Sequence, residues 1–492
     1  MKKVTRKVSL VLVLVILCQL FAAIPIKAEG ICGDLNGDNS VNSIDFALLR
    51  SYLLKIDKAS VSDFEARADV NQDGSVNSID FAAFRMYLLG MIKSLPYLKD
   101  QPVVIPTPTS EGNLISTPVP YDATVNTDFV DANTQFATKL FQKLSNEGTN
   151  ENIFFSPFGI SMTFSMAYQG AGSTTKDAMA KALDYTGMSD EVMNQSYVDH
   201  LNYFKRLYPQ VELNIANSIW LNESFKAKES FLTKNLEVFK ARSSYLDFAN
   251  PEACNIMNDW ISDATNGKID NMIKGPLSSQ MSMYLMNAIY FNGSWAEEFD
   301  ETKTSYRSFT NISGQVKYVP MMYKKAPFRS AETSEAKAIE IPYGSGNVSM
   351  YCILPKADTV NDFISEFDSS KWSEIKAGLI KSNDIAFYLP RFSIEYEPQD
   401  LKGKLSELGM GEAFSDNADF FGIAESIWLD EVKHKSVIDV NEKGTEAVSG
   451  TIIGIPTPSL VKWFELDKPF VFVIADNATG TILFMGKVVD LD

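Results

Sequence analysis

The chain carries one 22-residue segment twice, and that duplication constrains it more than any other feature. Asp34 to Lys55 reads DLNGDNSVNSIDFALLRSYLLK, and Asp69 to Gly90 reads DVNQDGSVNSIDFAAFRMYLLG. Fifteen positions are identical at an offset of 35. Each copy opens with oxygen-bearing side chains at alternate loop positions: Asp34, Asn36 and Asp38, then Asp69, Asn71 and Asp73. Closely spaced oxygens suit a hard cation, and calcium is the expected cofactor, one ion per copy. Ser40 and Ser75 would offer a backbone carbonyl, Asn42 and Asn77 would act through water, and Asp45 and Asp80 would close the shell. Apolar residues at helical spacing follow each loop. No helix precedes the first, because Glu29 to Gly33 is too short and Gly-rich. The pattern predicts a small all-α module of two calcium loop-helix repeats.

What lies before the repeat reads as an address. Lys2, Lys3, Arg6 and Lys7 precede an apolar run from Val8 to Ala23, and small Ala28 closes it, the order of a secretory signal peptide over residues 1–28. A membrane anchor is the alternative, but the run is short for a span. Its removal takes five basic residues and no acidic one, moving the net charge from −17 to −22. So acidic a surface repels phosphate backbones, which argues against nucleic-acid partners. Cys32, Cys254 and Cys352 would remain, too few and too odd in number for a disulfide framework.

After the repeats, residues 96–120 read PYLKDQPVVIPTPTSEGNLISTPVP. Six of the 25 are Pro, so an extended tether of at most roughly 75 Å is expected. Residues 29–95 thus form one module and 121–492 another. The loop-then-helix duplication resembles the type I dockerin module of cellulosomes. The resemblance implies that calcium folds the module and that one helix face binds a cohesin domain of a scaffoldin. Recognition would sit at Ser43 and Ile44 and at Ser78 and Ile79, helped by Arg50 and Arg85. Both copies carry the same pair, so either could face the partner. Ile44 and Ile79 also suit an apolar contact within the loop.

The large module mixes helical and strand patterns. Phe129, Phe136, Leu140, Phe141 and Leu144 share one helical face that Gly148 ends. The apolar run Met281 to Phe291 reads as a buried strand, with a buried helix as the alternative, and Val348 to Leu354, Ile385 to Tyr396 and Phe470 to Ile474 read as strands. Helices early and strands late predict an α+β domain with large sheets. Catalytic signatures are missing: no G-x-S-x-G, H-E-x-x-H, C-x-x-C or P-loop. Only two histidines exist, His200 and His434. No enzyme activity is expected; a glycosidase pair among the many carboxylates has no local mark.

Near the C-terminus, EKGTEAVSGT (Glu442 to Thr451) is rich in small residues, and DKPFVFVI and LFMGKV follow a further loop. With NIFFSP (Asn152–Pro157), MNAIYFNGSW (Met286–Trp295), VPMM (Val319–Met322) and PRF (Pro390–Phe392), this resembles a serpin over about residues 125–490. The resemblance implies a serpin fold with a mobile reactive-centre loop. It also implies suicide inhibition: the protease cuts the loop, which then inserts as a strand into a large sheet. Strand alternation would point Thr445, Ala447, Ser449 and Thr451 inward and Glu446 outward, with Gly444 as pivot and Glu442 at the hinge. Ser156, Asn258 and His434 match a hydrogen-bonded shutter beneath the sheet, and Trp295 the breach where insertion starts. Gly159 stands where many serpins have Ser.

The bait is less defined. Ungapped counting puts the scissile bond at Pro458-Ser459; shifted loop lengths give Thr457-Pro458, Ser459-Leu460 or Leu460-Val461. No Arg or Lys lies between Lys443 and Lys462, so a subtilisin-like or elastase-like target is expected rather than a trypsin-like one. These readings combine into a secreted, monomeric, cellulosome-associated serine-protease inhibitor. A non-inhibitory serpin-fold component of the cellulosome is the alternative.

Overall fold

The structure, a computed structural model, describes residues 31–37, 40–53, 64–72, 74–77, 80–81, 83–84, 87, 95–96, 125–207, 211–398, 400–425, 427–429, 433–445 and 462–491. Of Ser43, Ile44, Ala47 and Asn383 it describes only the backbone. The expected signal peptide and residues 97–120 of the expected tether lie outside these residues. No described helix is long and apolar enough to cross a membrane. The chain divides into two units between Leu114 and Ile115.

In the first unit, helix α1 (Ser43–Leu53) follows the first calcium-type loop, and α2 (Phe64–Ala68) lies between the repeats. Asp80, Phe81, Ala83, Phe84 and Tyr87 are helical after the second loop. Leu35, Leu49, Phe64, Val70 and Phe84 close a small core. Phe46 stacks on Phe81 with ring centroids 4.3 Å apart. These are the same position of the two copies, so the duplicated residue meets its own duplicate.

The second unit opens on α3 (Thr127–Glu147), whose N-terminus is capped by the Asn126 side chain accepting from Phe129 N. Its apolar face (Phe129, Phe136, Leu140, Phe141, Leu144) is buried, and Gly148 N closes on Leu144 O as the spacing predicts. Then come β1 (Ile153–Phe155), α4 (Pro157–Tyr168), α5 (Ser173–Ala182), α6 (Asp190–Phe204), β2 (Val211–Asn222), α7 (Glu229–Phe239), β3 (Arg242–Leu246) and α8 (Glu252–Ala264). Strand β4 (Met283–Ser294) leads to β5 (Ser305–Thr310), β6 (Val316–Glu332), β7 (Ala336–Tyr343) and β8 (Val348–Pro355). Helices α9 (Val360–Ser365) and α10 (Ser369–Ala377) precede β9 (Ile380–Pro390), β10 (Phe392–Tyr396) and α11 (Leu401–Leu405). The chain ends through β11 (Ser436–Val440), β12 (Gly444–Thr445), β13 (Lys462–Glu465), β14 (Phe470–Asp476) and β15 (Ile482–Val488).

Nine strands form one sheet, in the order β1-β15-β14-β8-β7-β6-β9-β13, with β5 on β6. Strands β12-β4-β2-β3 form a second, and β10-β11 pair by themselves. Among the described residues no ladder joins β11 to β4. The expected strand Ile385 to Tyr396 is two strands of different sheets, parted at Arg391. The expected strand Met281 to Phe291 is β4. Its two faces are both covered, because Tyr284, Met286 and Ala288 pack with Trp220, Met257 and Ile261 on the α8 side. Its other face lies over α4, where an added Cβ at Gly159 would meet Asn287 Oδ1 at 2.5 Å and Ile289 Cδ1 at 2.7 Å.

Candidate functional site

The site begins where β11 ends. Val440 leads into a tight reversal in which Asn441 and Gly444 exchange backbone hydrogen bonds. After it, β12 pairs antiparallel with the end of β4, Gly444 opposite Ser294 and Thr445 opposite Gly293. Gly444 has φ +147°, and a Cβ there would collide with the Gly293 carbonyl and lie 2.7 Å from Ser294 Cα. Only glycine fits so close an approach of two backbones. Thr445 is 4% exposed, and its hydroxyl lies 2.8 Å from Tyr343 Oη.

Trp295 and Glu442 hold this turn. Trp295 N donates to Lys443 O at 3.0 Å and its indole Nε1 to Asn441 O at 2.9 Å. Its ring stacks on Tyr343 at 4.5 Å. Phe299 N donates to Glu442 O at 2.8 Å. The Glu442 carboxylate, 3% exposed, pairs with Arg391 at 2.7 Å and accepts from Thr304 Oγ1. Burial disfavours its ionised form, but the hydrogen bonds from Arg391 and Thr304 outweigh this and hold its carboxyl below the usual value. The break between β9 and β10 is thus what presents Arg391 to the hinge.

Beneath the sheet, Ser156 caps α4, its hydroxyl accepting from Gly159 N at 3.0 Å and donating to Leu483 O at 2.8 Å. Ser156 N donates to His434 Nε2 at 3.2 Å, and the Ser436 hydroxyl lies 2.8 Å from the same nitrogen. His434 is buried, which lowers its pKa to about 4 and keeps it neutral. It is a hydrogen-bonded structural histidine.

The expected third member of this group is corrected. Asn258 sits on α8, where its amide donates to Ile273 O at 2.8 Å and accepts from Ile273 N at 2.9 Å. It ties down the chain after that helix and has no part in the Ser156–His434 group. The asparagine beside Ser156 and Gly159 is Asn287 on β4, bonded through its amide to Asn217 Oδ1 at 2.8 Å. A side chain at Gly159 would have to push the ends of Asn287 and Ile289 aside. Asn287 and Arg391 both stand inside motifs quoted above, MNAIYFNGSW and PRF, but sequence alone assigned neither a role. Tyr343 had no signal at all. Glu446, Ala447, Ser449, Thr451, Pro458, Ser459 and Leu460 lie outside the described residues.

In the first unit, Asp34, Asp45 and Asp80 are 1%, 0% and 0% exposed. Asp45 Oδ1 accepts from Leu35 N and Asn36 N, and Oδ2 from Asn42 N. Asp80 repeats this with Asn71 N and Asn77 N. The twelfth residue therefore fastens both ends of each loop. Asp34 Oδ1 accepts from Gly37 N, Asp69 Oδ2 accepts from Gly74 N, and Arg67 lies 3.2 Å from Asp34 Oδ2. Among the described residues no three His, Cys, Asp or Glu side chains gather as a metal centre; Asp38 and Asp73 are outside them. The donor set is oxygen throughout, with buried carboxylates in loops already wrapped, and this fits calcium better than a softer metal. Asp34, Asn36, Ser40, Asn42 and Asp45, and Asp69, Asn71, Ser75, Asn77 and Asp80, would hold it; calcium supplies a cross-link between loop oxygens. Arg50 is exposed on α1, while Arg85, Ser78, Ile79 and the side chains of Ser43 and Ile44 fall outside the description.

Comparison with known proteins agrees with both halves. Residues 131–491 match the family described as serpin (serine protease inhibitor), and residues 32–89 the dockerin type I domain. The chain belongs to the serpin family. It is a serpin that carries a type I dockerin, the module of cellulosome association. It is 33% identical over 387 residues to an uncharacterized serpin-like protein of Methanosarcina acetivorans, covering 75% of this chain and 90% of that one. It is 34% identical over 376 residues to the leukocyte elastase inhibitor of Bos taurus, covering 72% and 97%. Among solved structures, the thermophilic serpin tengpin in its native state aligns with TM-score 0.68 at 28% identity over 75% of this chain and 95% of its own. Uncleaved ovalbumin aligns with TM-score 0.67 at 28% identity, over 74% and 100%.

Proposed function

We propose that this protein is a secreted serine-protease inhibitor that acts by loop insertion and is docked onto a cellulosome, whose enzymes it protects from proteolysis. In this reading residues 1–28 export it, 29–95 dock it, 96–120 tether it and 121–492 inhibit. The observation that carries the inhibitory part is β12. Its two residues already pair with β4, and beyond them no ladder closes β4 against β11 among the described residues. Serpin membership alone does not decide this, because the fold also aligns with ovalbumin and with a thyroxine-binding globulin. The sequence of the loop favours insertion: after Thr445, the inward positions Ala447, Ser449 and Thr451 are small and uncharged. The absence of Arg and Lys from 444–461 favours a subtilisin-like or elastase-like target cut near Pro458, Ser459 or Leu460.

Docking follows the family of the first unit. Two calcium ions would order the loops, and Ser43, Ile44 and Arg50, or their duplicates Ser78, Ile79 and Arg85, would face a cohesin. The test is incubation of the full chain with subtilisin at an equimolar ratio. A protease–inhibitor complex that survives SDS, with loss of protease activity, is the expected result. Cleavage of the loop with the protease left fully active would support the non-inhibitory reading instead.

A further inference from the structure

The first unit repeats its loops but not what stands beside them. Each loop carries three carboxylates, Asp34, Asp38 and Asp45 in one and Asp69, Asp73 and Asp80 in the other, so their own charges are equal. At the repeat offset of 35, the residue two places before the loop is Cys32 in the first copy and Arg67 in the second. The two flanks lie side by side: Gly33 N donates to Arg67 O at 2.9 Å, and the Cys32 thiol lies 3.9 Å from the same oxygen. Each flank serves the loop of the other copy. Arg67 Nη1 donates to Asp34 O at 3.1 Å and to Asp34 Oδ2 at 3.2 Å. With Gly37 N on Oδ1 at 2.8 Å, both oxygens of this first-position carboxylate accept hydrogen bonds. The Asp34 side chain is 1% exposed, so water and salt screen the pair little. The Cys32 thiol is pushed up to about 11, first by burial and then by Asp69 and Asp80 of the second loop, and carries no charge there. The same position of the duplication thus sets a guanidinium on one loop and a neutral thiol beside the other. A second difference acts in the same direction. Loop position 6 makes the sharp turn and favours glycine. It is Gly74, at φ +88°, in the second copy and Asn39 in the first.

We propose that Arg67 makes the two calcium loops unequal, so that the loop from Asp69 fills at lower calcium than the loop from Asp34; this rests on the calcium reading above. The affinity of such a loop follows the charge that its surroundings present to the ion. A cation taken up by Asp34 shares that carboxylate with a guanidinium, which repels it and gives up part of its own pairing. At the second loop the matching position is Cys32, which adds no positive charge. Between the two affinities the unit is half loaded, with the second loop closed on its ion. Two docking faces that the sequence makes alike would then differ in the calcium each needs.

The test titrates calcium into the chelator-treated full chain and follows amide exchange of residues 34–45 and 69–80 separately at each concentration. In the parent, 69–80 should become protected at a calcium concentration about tenfold below that needed by 34–45. Arg67→Gln removes the charge and keeps an amide that can donate to Asp34. It should lower the midpoint for 34–45 severalfold and leave that for 69–80 in place. Cys32→Arg should do the converse and raise the midpoint for 69–80. Where Cys32→Arg fails to fold, Arg67→Gln decides alone. Equal midpoints in the parent, or a midpoint for 34–45 that Arg67→Gln leaves unchanged, would overturn the inequality proposed here. Protection of neither segment at any calcium concentration would overturn the calcium reading itself.

Discussion

Ser156 and His434 show how little of a residue's role its type reveals. In sequence, His434 is a lone imidazole with no nucleophile near it. In space, Ser156 N and the Ser436 hydroxyl surround one ring nitrogen, and burial holds the pKa at about 4. His200 is held in the same way, between Ser196 O at 2.7 Å and the Thr481 hydroxyl at 2.9 Å, and its pKa is also lowered to about 4 by burial. Both values lie below the 6.5 of an unburied histidine, so between pH 6.5 and 4 the unfolded chain binds protons that the folded chain refuses. Stability is full above that window and falls through it as pH drops, by on the order of 3 kcal/mol for each histidine. His434→Gln, whose amide oxygen can still accept from Ser156 N, should flatten part of this dependence. Urea midpoints at pH 7 and pH 4.5 measure it; the same loss in the variant as in the parent would show that His434 does not titrate there. Asn258 and Asn287 mark the limit of reading such roles from a string. Both are asparagines near apolar residues, and only the fold decides that one braces a helix while the other meets Gly159 beneath the sheet.

Elements were legible where one periodicity dominated and illegible where the sheet context decided. The stripe Phe129 to Leu144 and the stop at Gly148 gave α3 directly, while the apolar run after Met281, open in sequence to a buried strand or a buried helix, is β4, since a strand covered on both faces needs no alternation. Ile385 to Tyr396 misled, since nothing in its pattern says that Arg391 is where the chain leaves one sheet for another. Strand β12 could not be read as a strand at all: two residues carry no period. The small-residue run containing it is what the proposed hinge rests on, because passage between packed strands would tolerate little else. Thr445→Arg tests this element. A guanidinium would replace a side chain that is 4% exposed and bonded to Tyr343, so the hinge must leave the sheet or bury a charge, at a cost of several kcal/mol. The expected outcome is a variant that subtilisin cuts at the parent's rate but that forms no SDS-stable complex. A variant that traps protease as well as the parent would refute entry of the loop at Gly444–Thr445.

At the scale of the molecule, the chain has two units with separate cores, and their stabilities rest on different physics. The second unit buries a continuous apolar core spanning its sheets and helices. The first has a core of a few side chains around Leu35, Phe64 and Phe84, with buried carboxylates at Asp34, Asp45 and Asp80. Backbone N–H groups and Arg67 satisfy part of that charge, but Asp38 and Asp73 stand in the same two loops, and carboxylates at that spacing repel. Calcium bound in the loops would remove the repulsion and couple metal binding to the folding of this unit. The Pro-rich sequence between the units favours an extended tether, through which unfolding of one would not be expected to spread to the other. Treating the full chain with a calcium chelator should therefore release the amides of residues 33–93 to rapid exchange while those of β4, β14 and β15 stay protected. It should also abolish cohesin binding without altering inhibition of subtilisin. Unchanged exchange in 33–93 would mean that the loops fold without metal; a parallel loss of protection in β14 and β15 would mean that the two units are not independent.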